Sequence, residues 1–314
     1  MEAVGVKSEK LSPRQLSVAV LVGGLSTGAV AADGADWRWL LAGVPVGVVI
    51  GWLLLRRVGR RPLHPVLKVL YCAWAVVLMA DVLSRTAARL QSAAGGQGDA
   101  AWLVVLLALP LVWMGWGKAA AFFRAVEILW LAASVTVAAV LLLGVPRMDW
   151  HWAMKLAGDW RQSLLGCALV MSTGLFVLPY LYKVEEEPGG THRGLVWLGT
   201  LGLMTAALAA LTAGLLSPAV AEKLDAPFFA AAGLLGDSAR LEGLISALWL
   251  LPDLTLIGLL SRTWGEGHWP ALAVLVALGA AFTGIVEILP GEAPALGCLV
   301  LAVLTAVFPA GQKK

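Results

Sequence analysis

"LSTGAV", Leu25 to Val30, breaks an apolar run with two hydroxyls and a glycine, and a near copy, "MSTGLF", recurs at Met171 to Phe176. Both lie inside segments that otherwise read as membrane spans. Of the 314 residues, 60% are hydrophobic and 14% charged, against roughly 45–50% and about 25% in soluble domains. The mean hydropathy is +0.83. The chain reads as an all-α integral membrane protein, a single transmembrane domain over residues 1–314. A net charge of +3 carries no nucleic-acid signal.

Apolar runs bounded by charge, Pro, Gly or Trp predict ten transmembrane helices: 14–32, 38–57, 65–90, 101–117, 120–144, 161–182, 194–216, 240–262, 269–287 and 294–310. "SPRQ" before the first is a capping box, with Ser12 as N-cap, Pro13 opening the helix and Gln15 reaching back. No removable signal peptide is expected, because no small-residue cleavage site follows the first apolar run. Placing both termini in the cytoplasm puts fifteen of the 23 Lys and Arg residues inside, led by the cluster "RRVGRRPLHPVLK". Tryptophans such as Trp37, Trp102, Trp160 and Trp269 then fall at helix ends, where an amphipathic indole prefers to sit. Two connections have the length to hold structure of their own: "PRMDWHWAMKLAGDW", expected along the outer surface, and "PAVAEKLDAPFFAAAGLLGDS", expected to form a short outer helix, both on the face where a lid over an outward vestibule would sit.

With ten helices the first and sixth open two halves, 14–144 and 161–310. Five being odd, the second half is inverted relative to the first, the plan of many secondary transporters. "LSTGAV" and "MSTGLF" then correspond. A glycine flanked by hydroxyls lets a membrane helix unwind, freeing backbone groups to bind a ligand at mid-membrane depth. Gly23 and Gly24 add flexibility to the first break. Close helix packing is the competing reading of each break, since Gly, Ser and Thr also mark tight helix contacts. The matched positions favour broken first and sixth helices, with Ser26, Thr27 and Gly28 facing Ser172, Thr173 and Gly174.

Charges inside spans are costly and functional by default. Asp81 and Asp253 occupy corresponding third and eighth helices and are candidates for proton or ammonium coupling. Arg85, one turn on, offers Asp81 an internal partner. Asp253 has no basic residue within a turn, follows the kinking Pro252, and has Trp249 on its own face as a pocket wall; the competing reading is a bond to Ser, Thr or backbone on a neighbouring helix. No P-loop, G-x-S-x-G or H-E-x-x-H motif is present, so no enzyme is expected. Cys72, Cys167 and Cys298 are isolated in apolar runs, and the four histidines lie in separate connections. Neither a metal nor a cofactor is therefore expected.

"LSPRQL" with "STGAV", "GKAAAFFRAVEILW", "STGLFVLPYL" and "ARLEGLISALWLLPDLTLI" together resemble the spore germination receptor B-subunit family, a branch of the amino acid–polyamine–organocation permeases. The pairs Arg124 and Glu127, and Arg240 and Glu242 with Trp249, are its most specific parts. The resemblance implies a LeuT-type fold and a germinant site on Gly23, Ser26, Thr27, Gly28, Ser172, Thr173 and Gly174. It also implies A-type and lipoprotein C-type partner subunits in the inner spore membrane of a spore-forming bacterium. Two features depart from it: Leu175 stands where the wider superfamily often has an acid, and the chain is shorter than usual. The primary expectation is a germinant-sensing subunit for an amino-acid-like small molecule. The alternative is a proton-coupled amino acid permease of the cell membrane, working by alternating access.

Overall fold

Why a chain this apolar stays ordered follows from which faces it hides. The computed structural model describes residues 11–33, 36–58, 63–93, 100–116, 118–155, 160–183, 190–221, 223–224, 226–236, 240–265, 269–283 and 293–308. The basic run at 59–62 and both termini, on which the expected orientation rests, lie outside them.

The described residues form α1 Pro13–Ala32, α2 Trp37–Val58, α3 Pro65–Ala93, α4 Ala100–Trp116, α5 Ala119–Gly144, α6 Trp150–Lys155 and α7 Arg161–Val177. They continue through α8 Gly190–Leu215, α9 Pro218–Ala221, α10 Pro227–Gly233, α11 Arg240–Gly265, α12 Trp269–Ala281 and α13 Ala293–Val307. Among the described residues, six helical stretches are long and apolar enough to cross a membrane: Trp37–Arg56, Pro65–Ala93, Ala119–Arg147, Arg161–Tyr180, Gly194–Leu215 and Gly243–Arg262. Ala101–Pro110 and Gly297–Val307 are shorter apolar helices. On α5, Ile128, Leu131, Val135 and Leu142 are all at least 60% exposed and follow helical spacing. An apolar stripe of this kind matches lipid and would be costly in water.

The capping box forms as the sequence predicts. Gln15 N donates to Ser12 Oγ (3.2 Å) and Ser12 N to Gln15 Oε1 (3.3 Å), satisfying two donors that helix geometry leaves open. From there α1 runs inside the bundle against α5, α7, α8 and α11. Its neighbours are protein rather than lipid, which is why small residues suit it.

The expected breaks are not there. α1 is helical through Ser26, Thr27 and Gly28, and α7 through Ser172, Thr173 and Gly174, passing into a 3-10 turn only at Leu178–Lys183. The hydroxyls that were to free the backbone serve the helix itself: Thr27 Oγ1 donates to the Gly24 carbonyl at 3.0 Å. The glycines serve packing. A Cβ at Gly28 would stand 2.8 Å from Thr205 Oγ1 of α8, and one at Gly23 3.4 Å from the Leu256 backbone of α11.

Gly174 differs, since a Cβ there would meet only Leu198 Cδ2, at 3.9 Å. We therefore expect Gly174→Ala to leave the thermal midpoint unchanged or raised, Ala being the better helix former by about 1 kcal/mol. Gly28→Ala should lower it, because Thr205 must give way. Equal midpoints for the two variants would remove the packing account of Gly28.

The closest helix pair is α2 with α7. A Cβ at Gly43 would fall on the Ser163 carbonyl, and one at Gly166 on the Leu40 carbonyl. Gly43 and Gly47, one turn apart, form the small-residue patch that lets the α2 and α7 backbones touch.

Candidate functional site

α1 and α3 end beside the connection between α8 and α11. The described residues of that connection include the short helices α9 and α10, where the sequence leads one to expect a short helix. Between them lies a cavity of about 340 Å³, within the range of small-molecule sites. α1 contributes Ser26, Ala29 and Val30 to its wall, with Asp33 just beyond the helix end. α3 contributes Val82, Arg85, Thr86, Ala88, Arg89 and Ser92. The connection adds Lys223, Leu224, Ala226, Phe229 and Ala230, and α11 adds Asp253.

Asp253 is 3% exposed, and its charge is balanced from a different helix. Arg89 Nη2 donates to its Oδ2 at 2.6 Å, and Thr86 Oγ1 donates to the same oxygen at 2.9 Å. The sequence expectation of an aspartate awaiting a substrate ammonium is thus corrected: the basic partner is absent from its own helix and present on α3. The Arg89 guanidinium also lies 4.4 Å from the Phe229 ring centre, a cation–π contact at the cavity wall. Its Nε is buried without a hydrogen-bond partner among the described residues.

Asp81 takes the internal partner the spacing offers. Arg85 Nε donates to its Oδ1 at 3.0 Å, and Arg85 Nη2 pairs with Oδ2. Asp81 stands behind the cavity wall and holds Arg85 in it. Arg85 is one-third exposed, whereas Arg89 is 9% exposed.

Asp33 was not singled out in the sequence. Its Oδ1 accepts the Phe228 N–H of α10 at 2.8 Å, tying the end of α1 to the short helix. At the other end of α10, Arg147 Nη1 donates to the carbonyls of Leu234 (3.2 Å) and Leu235 (2.5 Å). Burial pushes the Asp33 carboxyl up to about 7, against the Phe228 hydrogen bond and the Arg85 and Arg89 charges, which pull it down.

Of the other expected site residues, Ser26 reaches the cavity, Gly23 and Gly28 pack against α11 and α8, and Gly24 and Thr27, joined by the Thr27 hydroxyl bond, do not line the cavity. Ser172 is buried in α7 and, like Gly174, is outside the cavity wall. The side chains of Thr173, Arg240 and Glu242 lie outside the described residues. The Trp249 ring packs tilted against Phe228 (centres 4.8 Å apart) and edge-on to Phe229 (5.9 Å), and so backs the wall without lining it. Glu127 pairs with Arg14 at 3.4 Å rather than joining any pocket.

Arg89, Thr86 and Lys223 were also missed. A signal for Arg89 was present: Asp81, Arg85 and Arg89 fall on one face of α3 at steps of four. Once Asp81 takes Arg85, one arginine and one distant aspartate remain unpaired inside apolar helices, and such charges find each other.

The helical bundle with a charged cavity at one end shares its overall fold with two solved structures, both of membrane transporters. The chain is similar to Mhp1, a nucleobase-cation-symport-1 family transporter, in a closed conformation with bromovinylhydantoin bound. The TM-score is 0.58 at 14% identity, covering 96% of this chain and 73% of that one. It is also similar to the Eremococcus coleocola manganese transporter, in complex with an aromatic bis-isothiourea substituted compound. There the TM-score is 0.51 at 14% identity, covering 98% of this chain and 72% of that one. No family model matches the chain, and no curated protein matches it.

Proposed function

We propose that the protein is a permease for a small amino-acid-like molecule, working by alternating access with the cavity as its binding site. The observation that carries this reading is the cavity itself, with accessible cations on one side and an apolar wall on the other. Arg85, held by Asp81, and Lys223, exposed on the connection, are the cations a ligand carboxylate meets. Ala29, Val82 and Phe229 offer the apolar surface for its body. Ten spans in two inverted halves, 14–144 and 161–310, with both termini cytoplasmic, remain the topology we favour, and α10 then roofs an outward-facing site. Among the described residues no three His, Cys, Asp or Glu side chains stand together as a metal site. A carboxylate-bearing ligand therefore fits this cavity better than a metal ion.

The likeness to transporters favours flux over pure sensing. The germinant-sensing reading, with A-type and C-type partners in a spore membrane, rests on the quoted sequence stretches, and the same cavity would serve it. Thermal shifts of the purified protein with a panel of amino acids, each beside its decarboxylated amine, test the site. We expect stabilisation by carboxylate-bearing members alone, with affinity falling about tenfold in Lys223→Ala as one charge-assisted contact is lost. Equal stabilisation by the amines would overturn the assignment of the cations.

A further inference from the structure

Two of the three aspartates at or behind the cavity are spoken for. Asp81 gives both oxygens to Arg85, and Asp253 is held by Arg89 and Thr86. Asp33 is different in kind. Among the described residues its hydrogen-bond partner is a backbone N–H, that of Phe228, and no cationic side chain pairs with it directly. It sits where α10 covers the cavity, so moving α10 away would return it to water.

We propose that Asp33 is the proton-binding residue of the cavity, and that closing α10 over the site takes up one proton there while opening releases it. The inference rests on the permease reading, to which it adds the coupling ion and its seat. The proton adds to the carboxylate oxygen Oδ2, giving a neutral acid whose Oδ1 still accepts from Phe228. Groups facing Asp33 are Arg85 and Arg89 from α3, Lys223 from the connection and Asp253 from α11. α10 itself brings no charged side chain, and Asp36 before α2 is held by Arg38.

The direction of the linkage is set by burial. With α10 closed, the acid is pushed up to about 7; exposed to water, it returns to the ordinary carboxylate value near 3.8. The closed form therefore binds the proton more tightly. Its advantage is full below about pH 4 and is lost as pH rises through about 7. Acid closes the site, and base opens it.

Asp33→Asn mimics the protonated residue and keeps an acceptor for Phe228. In the ligand-free protein, hydrogen exchange over 227–233, corrected for intrinsic rates, should be up to about a thousandfold faster in wild type than in Asp33→Asn at about pH 8, since each unit between 3.8 and about 7 is worth about tenfold. The two should converge below about pH 4. Infrared difference spectra of the wild type, which need no variant to fold, should show a protonated carboxyl titrating near pH 7. Asp33→Glu should retain such a band, and Asp33→Asn should lack it. A band that survives in Asp33→Asn, or exchange in α10 that is equal at both pH values, would overturn the proposal. Neither readout requires transport. Failure of the wild type to move any substrate would sink the permease reading while leaving these two results to judge Asp33.

Discussion

Replacing Arg89 by leucine costs the folded protein about 3–5 kcal/mol, the usual consequence of stranding a buried charge. The stranded group is Asp253, 3% exposed in α11 and left with only the Thr86 hydroxyl. The loss is larger than the pair's own net worth, because two desolvated charges nearly offset the cost of their burial, whereas one alone does not. The double variant Arg89→Leu with Asp253→Leu is consequently milder than either single variant. A double-mutant cycle in thermal or denaturant unfolding checks this. Additive losses would mean the 2.6 Å contact carries no coupling. The packing of α3 on α11 at the cavity would then need another cause.

Gly43→Val has the second large effect, and its origin is steric. At Gly43 the added Cβ would occupy the place of the Ser163 carbonyl, and at Gly47 it would stand 2.7 Å from the Cys167 carbonyl. Backbone cannot swing aside as a side-chain tip can, so α2 must separate from α7. Overpacking typically costs about 1–3 kcal/mol where side chains relax, and more where they cannot. Gly51→Ala is the control, since its Cβ meets only Leu198 Cδ1 at 3.3 Å. We expect Gly43→Val to lose membrane accumulation and monodispersity on size exclusion, and Gly51→Ala to keep both. A monodisperse Gly43→Val protein with a wild-type midpoint would contradict the intimate α2–α7 contact.

How much of this was legible depended on the range of the interaction. The Ser12–Gln15 capping box and the Asp81–Arg85 pair are local in sequence and are found in the structure, and six of the apolar segments are, among the described residues, helices long enough to span. "LSTGAV" and "MSTGLF" misled because hydroxyl and glycine chemistry suits two different ends. The same residues that permit unwinding also bond their own helix and admit a close neighbour, and only tertiary contacts choose between them. Gly28 against Thr205 is such a contact, 177 positions distant. Asp253 and Arg89 illustrate the same limit, being on different helices. Asp33 was hidden for a further reason: at the end of a span it reads as a solvated connection. Its contact with α10, through the Phe228 N–H, is what draws it partly out of water.

The central claim is that this cavity loads a small carboxylate-bearing molecule and carries it across the membrane with a proton. Uptake of radiolabelled amino acids into proteoliposomes under an imposed pH gradient tests that claim most directly. The account predicts accumulation of at least one such substrate, driven by the gradient, weakened in Lys223→Ala and uncoupled from pH in Asp33→Asn. Stabilisation by a ligand with no flux under any gradient would contradict it and leave a sensor built on a transporter fold.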